Sequence, residues 1–211
     1  MIEGAASSLA WSADGRYLFC LEKHPETLLA YRMMRHSLGT DSSEDVLVYE
    51  ETDHTFYTSL ARSRSRDYIF LYHHSTETTE VQWLPADQPL SGVTPFLPRQ
   101  TGHEYDIDHA NERFYICSND QAVNFRVLST ALGDSTDISK WREQVPARDD
   151  AMIESIQAFD DFLLIGERMG GLRQVRILSH DGSLDKYLPA SESVYAMWPY
   201  FNACTDTHKI R

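Results

Sequence analysis

Short hydrophobic runs alternate with polar turns along the whole chain, and the pattern returns about four times with a period of roughly 48 residues. Residues 9–21 open the first unit. Residues 56–60 with 68–72, 105–108 with 113–117, and 153–156 with 162–165 open the next three. In each unit a first run, a, is followed by a nearly continuous apolar run, b, as expected of a strand buried on both faces. A third run, c, follows at 30–36, 80–84, 124–128 and 174–178. A fourth, d, lies at 46–50, 93–97, 142–145 and 185–188. The c and d runs alternate apolar and polar residues, the mark of half-exposed antiparallel strands. No long segment has a helical period, and residues 137–142 have room for one turn.

Turn chemistry supports this reading. Asp14-Gly15 separates a from b in the first unit, and Asp181-Gly182 separates c from d in the fourth. Asp-Gly supplies the positive φ of a tight hairpin turn. Pro85, Pro95, Pro98, Pro146 and Pro189 sit at or near the outer strands c and d, where a missing N–H is tolerated. The pattern therefore predicts an all-β fold: a β-propeller fragment of about four blades, each of four antiparallel strands, with strand a lining a central channel. The predicted blades span about 7–51, 55–99, 103–147 and 152–190, and a further a-type strand at 194–198 starts another blade over 194–211. The chain is expected to form one partial propeller domain cut from a larger protein. Its bare outer blade faces predict self-association.

A net charge of −13 argues against nucleic acid as a partner, because phosphate binding needs a basic face. It suits basic peptides, or simply solubility. The three cysteines, Cys20, Cys117 and Cys204, are odd in number and widely spaced. Cys20 and Cys117 fall inside strand b of two units, so they read as buried thiols in a reducing compartment. No apolar stretch approaches the ~20 residues of a membrane helix, and the first residues lack the pattern of a signal peptide. The expected location is cytoplasmic, with no membrane contact.

Candidate chemistry is sparse. A nucleophile elbow needs G-x-S-x-G, and the nearest stretch, Gly133 to Asp137, lacks the second glycine. On an extended strand, Glu104, Asp106 and Asp108 share one face while His103, Tyr105, Ile107 and His109 share the other. The carboxylates form either an ordinary solvated face or a channel-lining row that draws in cationic peptides. The two histidines lie too far apart along the strand for a compact metal site. Adjacent His73 and His74 point to opposite faces. Arg62, Arg64 and Arg66 read as a solvated hairpin tip. No cofactor, metal or catalytic residue is predicted.

Several stretches together resemble a known family. They are residues 23–29, with Lys23-His24-Pro25-Glu26-Thr27-Leu28-Leu29, and residues 31–40, 48–51, 53–57, 103–109, 114–119 and 167–172. These runs resemble the propeller of the prolyl oligopeptidase family of serine peptidases, in the branch that cleaves after Arg and Lys. The resemblance implies a seven-bladed propeller that admits only short peptides, capping an α/β-hydrolase domain with a Ser-Asp-His triad. It implies that the hydrolase domain is absent here and is the partner of this chain, and that short basic peptides are the substrates. No triad residue maps onto any position of this sequence. A stand-alone interaction propeller without catalysis is the alternative, since the fold hosts many functions.

Overall fold

A computed structural model describes residues 5–207 and 209–211. Its strands form four antiparallel sheets, each a meander of four consecutive strands. The first contains β1 (Ala5–Trp11), β2 (Tyr17–Lys23), β3 (Ala30–Ser37) and β4 (Val46–Glu50). The second contains β5 (Tyr57–Arg62), β6 (Tyr68–His74), β7 (Thr79–Pro85) and the very short β8 (Thr94–Pro95). The third contains β9 (Tyr105–Ala110), β10 (Arg113–Ser118), β11 (Arg126–Ala131) and β12 (Arg142–Val145). The fourth contains β13 (Ala151–Ala158), β14 (Phe162–Met169), β15 (Leu172–Ser179) and β16 (Asp185–Tyr187). Strand order follows chain order in every sheet, which is the plan of a propeller blade. One turn of 3-10 helix, Ile138–Lys140, occupies the place where the sequence had room for one. No helix among the described residues is long and apolar enough to cross a membrane.

The apolar b runs become the second strand of each sheet and carry the core. Phe19, Leu21, Ile69, Leu71, Phe114, Ile116 and Ile165 are all fully buried. A strand covered on both faces cannot alternate, so the continuous apolar run follows from its place in the stack.

The chain divides into two compact units, one ending at Gly102 and the other starting at His103. In the first unit, Phe19, Leu21 and Met33 of the first sheet pack with Leu60, Ile69, Leu71 and Leu84 of the second. In the second unit, Tyr115, Cys117 and Val127 pack with Ile153, Ile156, Leu163 and Ile165. Each pair of sheets thus meets through interdigitated apolar faces.

The strand expected at 194–198 does not form. A single parallel bridge joins Ala196 to Arg173, and Pro199, which has no N–H, follows. Beyond it the chain is irregular and is tied by single bonds: the Tyr200 N–H donates to the Arg211 carbonyl at 2.9 Å, and the Arg211 N–H to Asn202 Oδ1 at 2.9 Å. This segment lies over the fourth sheet, with Met197 and Ile210 against Phe159, Leu164 and Val175.

Gly166 of β14 makes that covering possible. A Cβ there would lie 2.5 Å from Ser155 Oγ and 3.2 Å from Pro199 Cδ. Gly166→Ala is expected to cost about 1–3 kcal/mol through this overpacking. A lowered urea midpoint would show it. Gly92→Ala, where a Cβ meets nothing within 4 Å, serves as the unaffected control.

Candidate functional site

The three carboxylates around β9 have different fates. Asp106 is exposed, and its side chain accepts the Ile107 N–H at 2.9 Å. Glu104 is half-buried just before the strand and faces Asn119, whose Oδ1 accepts the Glu104 N–H at 2.8 Å. Asp108 is only 8% exposed. Its Oδ1 accepts the His109 N–H at 2.9 Å, and its Oδ2 accepts the Ala158 N–H of β13 at 2.8 Å. Asp108 therefore leaves the expected channel-lining row. A buried carboxylate needs donors, and the free amide on the neighbouring inner strand supplies one. The first unit uses the same device with a smaller side chain, since Ser8 Oγ of β1 accepts the Leu60 N–H of β5 at 3.2 Å. A polar residue on the inner strand of both units was the available sequence signal for this staple.

One constellation was missed by sequence reasoning. His103 Nε2 lies 2.8 Å from Ser118 Oγ, and the Asp120 N–H donates to the same oxygen at 3.1 Å. A serine and a histidine within hydrogen-bond reach, with an acid nearby, have the composition of a nucleophilic site. Burial decides against that chemistry. Ser118 is fully buried and His103 is 6% exposed, so no substrate carbonyl has access to the hydroxyl. Burial also holds the His103 pKa below its usual value, against a weaker opposing pull from Asp120. The pair fixes the turn between β10 and β11. It was invisible in the sequence because it depends on the β9–β10 register, which sets Ser118 against Tyr105. The expected non-elbow serine, Ser135, is buried beside two 3-10 turns. The Arg62 guanidinium donates twice to the Arg66 carbonyl, at 3.0 and 2.7 Å, and so closes its own hairpin.

Most of the other buried charge is spent in two ion networks. In the first unit, Arg99 bridges Glu51 at 2.6 Å and Glu80 at 2.7 Å, with its guanidinium 3.7 Å from the centre of the Phe56 ring. Glu51 also faces His73 Nδ1 at 3.2 Å. This ties the linker after β4 to β6, β7 and the segment after β8. In the second unit, Glu167 of β14 is 1% exposed. It accepts from Arg148 at 3.0 Å, Arg176 at 3.3 Å and the Tyr187 hydroxyl at 2.6 Å. Arg176 in turn grips Asp185 at 2.6 Å, and its pKa is raised by that hydrogen bond first. These clamps hold the linker that enters the second sheet, and the linker that enters the fourth, against the sheet that follows. Among the described residues no three His, Cys, Asp or Glu side chains gather as a metal site.

Comparison with known proteins places this arrangement. The profile of the family described as "Prolyl oligopeptidase, N-terminal beta-propeller domain" matches residues 1–211. The chain is 42% identical to the dipeptidyl aminopeptidase BI of Pseudoxanthomonas mexicana, over 100% of this chain and 29% of that protein. It is 30% identical to protease 2 of Moraxella lacunata, over 96% of this chain and 29% of that protein. Among solved structures, oligopeptidase B from Trypanosoma brucei with covalently bound antipain superposes with a TM-score of 0.91 at 23% identity, over 100% of this chain and 31% of that one. Oligopeptidase B from Leishmania major gives 0.84 at 26% identity, over 92% of this chain and 28% of that one. The chain thus spans less than a third of the length of these relatives.

Proposed function

Because the chain belongs to the prolyl oligopeptidase family, as its N-terminal β-propeller domain, we propose that it is the filtering domain of a serine oligopeptidase. The family match across all 211 residues carries this reading. In it, the propeller excludes folded proteins, and short peptides reach a Ser-Asp-His triad on an α/β-hydrolase domain outside these residues. Cleavage falls after Arg or Lys, a specificity supported by the likeness to protease 2 and to oligopeptidase B. The exposed Asp106, the half-buried Glu104 and the net charge of −13 favour basic peptides by raising their local concentration. The buried thiols Cys20 and Cys117 suit a reducing, cytoplasmic setting; burial pushes the Cys117 pKa up to about 12, which keeps it unreactive.

A second reading has its own support. Identity is higher to a dipeptidyl aminopeptidase, 42%, than to protease 2, 30%. An enzyme that releases dipeptides must recognise the free N-terminus of its substrate.

The test uses the full-length polypeptide and fluorogenic Arg-Arg amides with a free or a blocked N-terminus. Hydrolysis of both supports the oligopeptidase reading. Hydrolysis of the free form alone supports dipeptide release. The isolated 211-residue chain is expected to hydrolyse neither, and activity that co-purifies with it would sink the proposal that catalysis resides elsewhere.

A further inference from the structure

A four-strand meander enters and leaves its sheet at one end, and the turn between its second and third strands lies at that same end. A domain joined in sequence before or after whole blades is therefore tethered there. In two sheets, the turn at this end holds an aliphatic side chain out in water.

In the first sheet the turn between β2 and β3 exposes 68% of Leu28, at a φ of +60°. The turn is rigidly made. The His24 N–H donates to the Leu29 carbonyl at 2.8 Å and the Leu28 N–H to the His24 carbonyl at 2.9 Å. The His24 ring Nδ1 accepts the N–H groups of Glu26 and Thr27, both at 3.3 Å. In the third sheet the turn between β10 and β11 exposes 93% of Val123. Gln121 and Phe125 flank it at φ values of +50° and +62°. The Ala122 N–H donates to the Asn119 carbonyl at 2.9 Å, the Phe125 N–H to the Ala122 carbonyl at 2.8 Å, and the Asn124 side chain to the Arg148 carbonyl at 2.8 Å. Ala122 is buried, so the turn is anchored on both sides of its projecting residue.

Neither turn needs an aliphatic residue at these points. Asn or Gly serves a left-handed position at lower cost, and a polar residue serves an exposed one. The matching turns of the other two sheets follow that rule, with exposed Thr76 and Glu77 in the second and Gly170-Gly171 in the fourth. Leu28 combines a positive φ with an exposed aliphatic side chain, a strained arrangement that points to a constraint beyond folding.

We propose that Leu28 and Val123 are apolar contact points that seat on the catalytic domain of the same polypeptide. The proposal rests on the oligopeptidase reading above. The tethered end identifies the occupant, as does the length of the relatives, more than two thirds of which lies outside a chain of this span.

The experiment uses the full-length polypeptide with Leu28→Asp, Val123→Asp and both together. Aspartate tolerates positive φ, so the turn at Leu28 keeps its shape. Leu38→Asp is the control: Leu38 is 64% exposed but lies between β3 and β4, at the opposite end of its sheet. Limited proteolysis at the domain junction and steady-state kinetics are read together. Junction cleavage is expected to quicken about tenfold in each Leu28 and Val123 variant, the effect of losing one apolar contact, and to stay unchanged in Leu38→Asp. Wild-type behaviour in all variants overturns the proposal. So does a raised KM for longer peptides with unchanged junction cleavage, which would make the residues substrate contacts. Loss of a dimer by light scattering without faster cleavage overturns it as well, in favour of a second copy. A full-length protein without any peptidase activity would instead refute the oligopeptidase reading, while the proteolysis result still reports on the contact.

Discussion

Replacing Glu167 by alanine is expected to lower the unfolding free energy of this chain by about 3–5 kcal/mol, measured by urea or thermal unfolding. The reason lies in what the substitution leaves behind. Glu167 is 1% exposed and accepts from two guanidiniums and a phenol. Without it, the partly exposed Arg148 and the more buried Arg176 face each other's charge, with the exposed Asp150 and the Tyr187 hydroxyl left to the first and Asp185 to the second. The Tyr187 hydroxyl loses its acceptor. Most of the cost is the unpaired charge, so the size of the loss should depend on the arginines. Glu167→Ala with Arg148→Met should recover part of the stability, because one orphaned cation goes too. Equal losses in the single and double variants would show that packing, not charge, sets the cost. Salt should change the result little, since a nearly buried network is weakly screened.

The repeat was legible because each strand class has its own burial. Strand b is covered on both faces, so Ile69, Phe70, Leu71 and Tyr72 read as one apolar run. The alternation expected of strands c and d is weaker in the structure: β11 buries Val127, Leu128, Ser129 and Thr130 in a row, because neighbours cover both of its faces. Those constraints act within a blade and leave a direct trace in the sequence. What joins one blade to the next leaves less. Asp108 looked like its neighbours Glu104 and Asp106, because period two places all three on one face. Its staple to Ala158 is 50 residues away in sequence and depends on how two inner strands approach each other. The Glu51–Arg99 clamp spans 48 residues, one full repeat. Within a blade, the Ser118–His103 pair was hidden as well, because it needed the β9–β10 register. The strand expected at 194–198 fails for a local reason. Residues 194–198 have a strand-like pattern, but Pro199 interrupts them and packs its ring over Gly166. Pattern reading sees apolar residues and not the surface prepared for them.

Acid is expected to weaken the first unit through His73. This residue is fully buried on β6. Its Nδ1 lies 3.2 Å from Glu51 and 3.2 Å from Thr58, while Nε2 has no partner. The neutral ring with its proton on Nδ1 fits these contacts: it donates to the Glu51 carboxylate and leaves only a bare lone pair at Nε2. Protonation would place an N–H at Nε2 with nothing to accept it. Desolvation accordingly pushes the His73 pKa down to about 4; Glu51 opposes the shift, and Arg99 and His74 add to it. The other charged groups of the cluster, Glu80 and Asp53, are engaged by Arg99. An unfolded histidine titrates near 6.5. Above that pH both states are neutral and the stabilisation is complete. Between about 6.5 and 4 the unfolded chain binds the proton and the folded chain does not, so stability falls as pH falls. Below about 4 the loss is complete, at about 3 kcal/mol. His73→Gln keeps a donor for Glu51 and cannot take up a proton. Its unfolding free energy should therefore change less between pH 6.5 and 4 than that of the wild type. The slope that remains belongs to His74 and His103, whose pKa values burial also lowers, and toward pH 4 to aspartates such as Asp53 and Asp181, whose hydrogen bonds hold their pKa values below the usual one. Identical pH profiles for the variant and the wild type would rule out His73 as the residue that makes this unit acid-sensitive.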